Sequence, residues 1–170
     1  MNRLTATRRR TAGQALVETA LILPLFLTLL LGIVDMGRAV WATTSLASAA
    51  REAARYAIVH GGSSSNTCPV GPPAGDTVPA SGSCPYPSPS KQSIIDAATT
   101  AAIAGGSNIT VLVCYAGPGT TCSGNTDTGN NARGQTVTVV VSSDVNLVLP
   151  SLLGRSSFNL SGSSTMVVNH

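Results

Sequence analysis

The stretch GQALVETALILPLFLTLLLGIVDMGRAVWATTSLASAAREAARYAIV, Gly13 to Val59, decides the architecture. From Gln14 to Val34 it holds 21 residues with a single ionisable group, Glu18. That length matches the roughly 20 residues needed to cross a bilayer core. Arg3, Arg8, Arg9 and Arg10 precede the run, Asp35 and Arg38 nearly cancel beyond it, and Trp41 suits an interface. The excess of arginine before the span puts the N-terminus in the cytoplasm and the remainder outside. A cleaved secretory signal has a shorter apolar region, no acid within it, and a small-x-small site close behind. Here the first such site, near Ala47-Ser48-Ala49, lies well past the run. The expectation is therefore a retained anchor, kinked at Pro24.

Past Asp35 the helix should continue to about Val59 and stop before Gly61-Gly62. Ser45, Ala49, Ala53 and Ala57 recur every four residues, with Leu46, Ala50, Ala54 and Ile58 in an adjacent stripe. Small side chains at this spacing allow a close neighbour. The chain's own sheet is the favoured neighbour, because a small domain needs that face for its core. Arg51, Glu52 and Arg55 read as a solvated rim, worth only tenths of a kcal/mol as exposed pairs.

The 170 residues leave room for one modest domain beside the anchor. Charged residues are scarce, at 10%, and the apolar ones concentrate before residue 35. Removing the four leader arginines from the formal +3 leaves −1, and no basic patch with interleaved aromatics follows. No nucleic-acid partner is expected. Four cysteines, Cys68, Cys84, Cys114 and Cys122, all follow the span, where an oxidising compartment favours disulfides. Three connectivities are open. The local one, Cys68–Cys84 with Cys114–Cys122, is preferred, and reduced buried thiols are the alternative. Neither C-x-x-C spacing nor histidines at ligand spacing accompany them, so no metal and no other cofactor is expected.

Residues 61–90, GGSSSNTCPVGPPAGDTVPASGSCPYPSPS, read as a long surface loop. A second helix is expected over Lys91–Ala104, with Ser90 as its cap, Gly105-Gly106 as its stop, and Ile94, Ala97, Ala98, Ala101 and Ala102 as its apolar face. Strands are expected at 108–116, 135–145 and 158–168. Between the first two, NTDTGNN (125–131) hints at a calcium loop, but Thr136 stands where the closing acid belongs, leaving a turn. VNLVLPSLLG (145–154) reads as an exposed apolar bend, with two alternatives open: a dip toward the membrane or a partner, or folding under the sheet. No nucleophile elbow, phosphate loop or H-E-x-x-H motif occurs, and His60 suits the end of a helix dipole better than catalysis. No enzyme is expected. The fold class is α+β: a long N-terminal transmembrane helix continuing into a domain, pilin-like by the resemblance described next, with a second helix and a roughly three-stranded antiparallel sheet. Its divisions are a basic cytoplasmic leader (1–13), the span (14–34), its extracytoplasmic continuation (35–60), the Gly/Pro/Ser-rich loop (61–90) and a small α+β domain (91–170).

A basic leader, Gly13, Glu18 five residues on, and an apolar helix are together similar to the processing site of type IV prepilins. In that family a membrane aspartyl peptidase cuts after the glycine, and the new first residue, here Gln14, is commonly N-methylated. Lacking a Cβ, Gly13 would let the backbone extend into the protease cleft. More specifically, Gly13, Glu18, Pro24, Asp35, Gly37, Arg38, Arg51 and Arg55 resemble the pattern of the TadE-like family of tight-adherence (Flp) pilus systems. The resemblance covers residues 13–60 and, more loosely, 134–168; Thr19 stands where prepilins often carry an aromatic. It implies a non-catalytic pseudopilin or minor pilin that helps assemble a type IVc pilus or a related secretion system. The chain would cross the bacterial cytoplasmic membrane once, with its C-terminal domain extracytoplasmic. Its implied partners are a prepilin peptidase, other pilins and pseudopilins, the Tad secretion machinery and membrane lipid. The Glu18 carboxylate would meet the amine of Gln14, in the same or a neighbouring subunit, and set the register of packed helices; the alternative is a carboxyl that snorkels to the cytoplasmic edge or is protonated. The alternative function is an unprocessed, membrane-anchored extracytoplasmic binding module that joins no filament.

Overall fold

The computed structural model describes residues 5–62, 68–72, 90–103, 106–120, 126–152, 154 and 157–169. Cys84, Cys122, Gly105 and most of the 61–90 segment lie outside them. Helix α1 spans Thr5–Val59 and passes through Pro24 without interruption. Within its apolar part the Thr19 hydroxyl donates to the Ala15 carbonyl at 2.9 Å and Thr28 to Pro24 at 2.8 Å. Both hydroxyls are thus satisfied inside the helix, as a hydrocarbon environment demands.

Helix α2 covers Gln92–Ala101, starting one residue later and ending three earlier than its sequence suggests. Lys91 rather than Ser90 takes the N-cap position, without a side-chain cap bond; the Ser90 Oγ, just before it, accepts the Gln92 N–H at 3.1 Å. At the other end Ala102 adopts φ −81°, ψ 57°, which leaves the helical region while its N–H still donates to Ala98. Ile94 and Ala98 form the buried face.

Strands β1 (Ser107–Ala116), β2 (Thr136–Val145) and β3 (Phe158–Val167) make an antiparallel meander in sequence order. Val113 faces Val139, and Val139 in turn faces Ser164. Along β2 burial alternates strictly, with Val137, Val139, Val141, Ser143 and Val145 inward. The outer face is mostly polar, with Leu112 and Val140 paired across it; there the Thr138 and Thr165 hydroxyls meet at 2.9 Å. A sheet covered on one side only requires this alternation.

The covering layer is the second half of α1 with α2 beside it. Leu46, Ala49, Ala50, Ala53, Ala54 and Ala57 are fully buried in one cluster with Ile94, Val113, Val137, Val139 and Val141. Truncating Leu46 to alanine in such a cluster costs about 2–5 kcal/mol. Alanines bring the helix so near that the strand beneath must also lack a side chain. A Cβ built on Gly162 of β3 would fall 2.4 Å from the Ala47 nitrogen and 2.6 Å from its Cα.

Part of the expected surface loop belongs to this core. Val70 is 1% exposed and packs in the cluster. It can be buried because its backbone is satisfied: its N–H donates to His60 at 2.8 Å, and its carbonyl accepts the Asn131 Nδ2 at 3.0 Å. Beside it Gly71 takes φ +86°, and the missing Cβ leaves room for the Tyr115 ring, whose atoms come within 2.6 Å of that position. The apolar bend also has a regular form, a short helix α3 over Val148–Leu152.

Candidate functional site

The chemistry singled out in the sequence lies along α1, which divides into two halves of opposite character. The first is long and apolar enough to cross a membrane, and none of its apolar window is buried. The second is embedded in the domain from Ala42 to Ala57. No linker separates them. The same helix thus meets two surroundings, one supplied by its own sheet and one that must come from outside the chain.

Gly13, Gln14 and Glu18 all lie in the exposed half. A Cβ built on Gly13 meets nothing within 4 Å, so packing within the chain does not call for glycine there. Gln14 and Glu18 are four residues apart, hence on one face of the helix. Among the described residues the ion pair found is Lys91–Asp127, and Glu18 makes none.

At the C-terminal end of the apolar run stands Asp35, which the sequence marks only as a motif position. It is buried, at 5% exposure. Its carboxylate accepts the Val148 N–H at 3.1 Å and the Leu149 N–H at 2.6 Å. The Leu149 amide foremost holds the carboxyl below its usual range, against the opposing effect of burial; Val148 and the charge of Arg38 act in the same downward sense. Asp35 therefore caps α3, occupying the amides that a helix start leaves open. Its partners lie 113 and 114 residues away along the chain, so no local pattern could disclose the contact.

The far end of α1 is closed by its own aromatic pair. The Tyr56 and His60 rings stack with centroids 4.0 Å apart, and the His60 Nδ1 donates to the Tyr56 carbonyl at 2.8 Å. His60 thus lies at the helix end, held there by a hydrogen bond and a ring contact.

A second polar junction escaped the sequence reading. The Lys91 Nζ lies 2.7 Å from the Asp127 carboxylate and donates to the Val113 carbonyl at 2.8 Å. Asp127 also accepts the Tyr115 N–H at 2.9 Å. The segment that hints at calcium thus uses its acid to tie a turn to β1 and to the start of α2. Among the described residues no group of three or more His, Cys, Asp or Glu is placed to hold a metal ion. Neither Cys68 nor Cys114 carries a free thiol; Cys84 and Cys122 fall outside the described residues. Glu52, Tyr56, Ser93, Asp96 and Thr100 line an open groove between α1 and α2. There the Asp96 carboxylate accepts from Gln92 at 3.1 Å, and none of these side chains is a strong nucleophile beside a base.

A family model described as TadE-like protein matches residues 13–55. The match begins at Gly13 and takes in the apolar run of α1 and most of the alanine face; the looser likeness expected over 134–168 lies outside it. No curated protein and no solved structure matches the chain.

Proposed function

We propose that this chain is a TadE-like pseudopilin or minor pilin: a non-catalytic component, anchored once in the bacterial cytoplasmic membrane, that takes part in assembling a tight-adherence (Flp) pilus or a related secretion system. The observation that carries this reading is the undivided helix whose bare half and buried half together make up the matched region. The N-terminus is cytoplasmic and the sheet domain extracytoplasmic, following the arginine excess before the span. Anchoring and helix-to-helix packing with other pilins supply the mechanism.

A prepilin peptidase is the processing partner, cutting between Gly13 and Gln14. Two features support this. Glycine in a helix costs about 1 kcal/mol relative to alanine, and no contact in the chain offsets that cost at Gly13. A weak point in the helix is also where a backbone unwinds most readily into a cleft. The cut frees an amine at Gln14, one turn from Glu18. Their pairing offsets the desolvation of both groups in lipid and fixes the axial register of adjacent helices. In the domain, the cysteines pair locally as Cys68–Cys84 and Cys114–Cys122, the first closing a loop and constraining the unfolded chain by about 3 kcal/mol.

Intact-mass and N-terminal analysis of protein from its native cells tests the processing step. The expected mature chain starts at Gln14, with or without a methyl group. A chain that still starts at Met1 sinks the pilin reading and leaves an anchored module outside any filament. Gly13→Ala should retain the leader. Glu18→Ala should be cleaved normally yet fail in filament output.

A further inference from the structure

The bare span and the α3 cap together fix where the bilayer surface meets the domain. Gln14–Val34, at about 1.5 Å per residue, covers about 31 Å, close to the roughly 30 Å thickness of a hydrocarbon core. Asp35 is the next residue, and α3 is bonded directly to it through the amides of Val148 and Leu149. Any bilayer that covers the apolar run therefore brings its outer surface to the level of α3. The residues there are suited to it. Leu147-Val148-Leu149 is apolar in sequence, and Val148 is 48% exposed. Trp41, two turns further up α1, is 66% exposed. Ile103, from the chain just after α2, shares a shallow groove with Trp41 and is 87% exposed. Three elements thus contribute large apolar side chains to the end of the domain nearest the span, and Ile33, Val34 and Met36 at the end of the apolar run are exposed as well. In water this arrangement exposes apolar surface at a cost; in a headgroup layer it is favourable, most of all for tryptophan.

We propose that the α3 end of the domain rests in the outer headgroup layer of the bilayer, with Trp41, Ile103 and Val148 as its lipid contacts and Asp35 as the pin that holds α3 at that depth. The contact rests on the anchor reading and adds to it: the span holds the chain in the membrane, and the rim sets the tilt of the sheet above it. Asp35 is a positioning residue, acting through the backbone of α3.

The test uses the full chain in phosphatidylcholine vesicles whose acyl chains carry bromine, a short-range quencher of tryptophan, at either a shallow or a deep carbon. A reporter is placed by Val148→Trp in a Trp41→Phe background, with Gln92→Trp in the same background as a distal control. The Val148→Trp reporter should be quenched severalfold more than the control, and more strongly by shallow bromines than by deep ones. Adding Asp35→Ala should reduce that quenching. Flotation of each variant with the vesicles separates the two readings. A chain that does not float contradicts the anchor. A chain that floats with its Val148→Trp reporter no more quenched than the control overturns the proposal alone. Quenching that disappears as protein density in the bilayer rises assigns the rim to a second copy of the chain and overturns it as well. Quenching unchanged by Asp35→Ala removes Asp35 from its role as the pin.

Discussion

Replacing Gly162 with alanine probes how the helix and the sheet are joined. The added Cβ would sit 2.4 Å from the Ala47 nitrogen, 2.6 Å from its Cα and 2.6 Å from the Leu46 carbonyl carbon. Ordinary contact begins near 3.4 Å, so β3 and α1 must part by about 1 Å. All three obstructing atoms are helix backbone, and no rotamer change can relieve them. The parting loosens Leu46 and Ala50 against Val139 and Val141, which share one cluster. Overpacking of a core costs about 1–3 kcal/mol, and an obstruction made of backbone belongs near the top of that range. About 3 kcal/mol is roughly a hundredfold in the folding equilibrium and on the order of 10 °C in midpoint for a domain of this size. The measurement is thermal unfolding of the full chain in detergent micelles, followed by near-ultraviolet circular dichroism. Gly37→Ala serves as the comparison, since a Cβ there meets nothing within 4 Å and should gain about 0.5–1 kcal/mol of helix stability. If Gly162→Ala unfolds within about 0.5 kcal/mol of the parent, the helix and strand are not in backbone contact and the packing described above is wrong.

Three further outcomes follow from the polar junctions. Asp127→Ala strips the Lys91 ammonium and the Tyr115 amide of an acceptor; with side chains 22% and 24% exposed, the pair lies between surface and core, and a loss of about 1–3 kcal/mol is expected in chemical denaturation. Among the described residues the buried Tyr115 hydroxyl has no hydrogen-bond partner, and burial, then the charge of Asp127, raises its pKa. Tyr115→Phe should therefore leave the protein as stable or more stable by about 1 kcal/mol, and a loss above that would reveal a bond to the hydroxyl. Because the Asp35 carboxyl titrates lower in the folded chain than in the unfolded one, its contribution is complete above about pH 4 and is lost as pH falls through the lowered folded value. Hydrogen-exchange protection of the Leu149 amide should follow that course, and Asp35→Ala should abolish the dependence.

Much of the fold was legible because it is written in local pattern. The apolar run, the alanine spacing and the Gly61-Gly62 stop gave α1 its full outer extent to Val59, and the alternating valines of β2 gave its inward face. The apolar run with Gly13, Glu18, Pro24, Asp35 and Arg38 gave the resemblance that the family match over residues 13–55 then bore out. What could not be read was anything that depends on residues distant in sequence. The helical state of Val148–Leu152 follows from an acid at position 35, and proline and leucines alone suggest only a bend. Val70 looked like loop because Gly and Pro surround it; it enters the core because His60 and Asn131 take up its backbone bonds. Asp127 looked like a turn residue because neither Lys91 nor Tyr115 lies near it in the chain.

The absence of a linker at Asp35 has a mechanical consequence. A helix that is span at one end and core at the other behaves as a rigid shaft, with the sheet fixed to it like a blade. A screw motion of the span by one residue turns such a shaft by about 100° and raises it by about 1.5 Å. With the sheet packed directly on Leu46 to Ala57, that turn and rise would reach the polar face of the blade undamped. On the anchor reading proposed above, torque or pull applied to the bare half would thus be transmitted to the domain as a change in which way it faces.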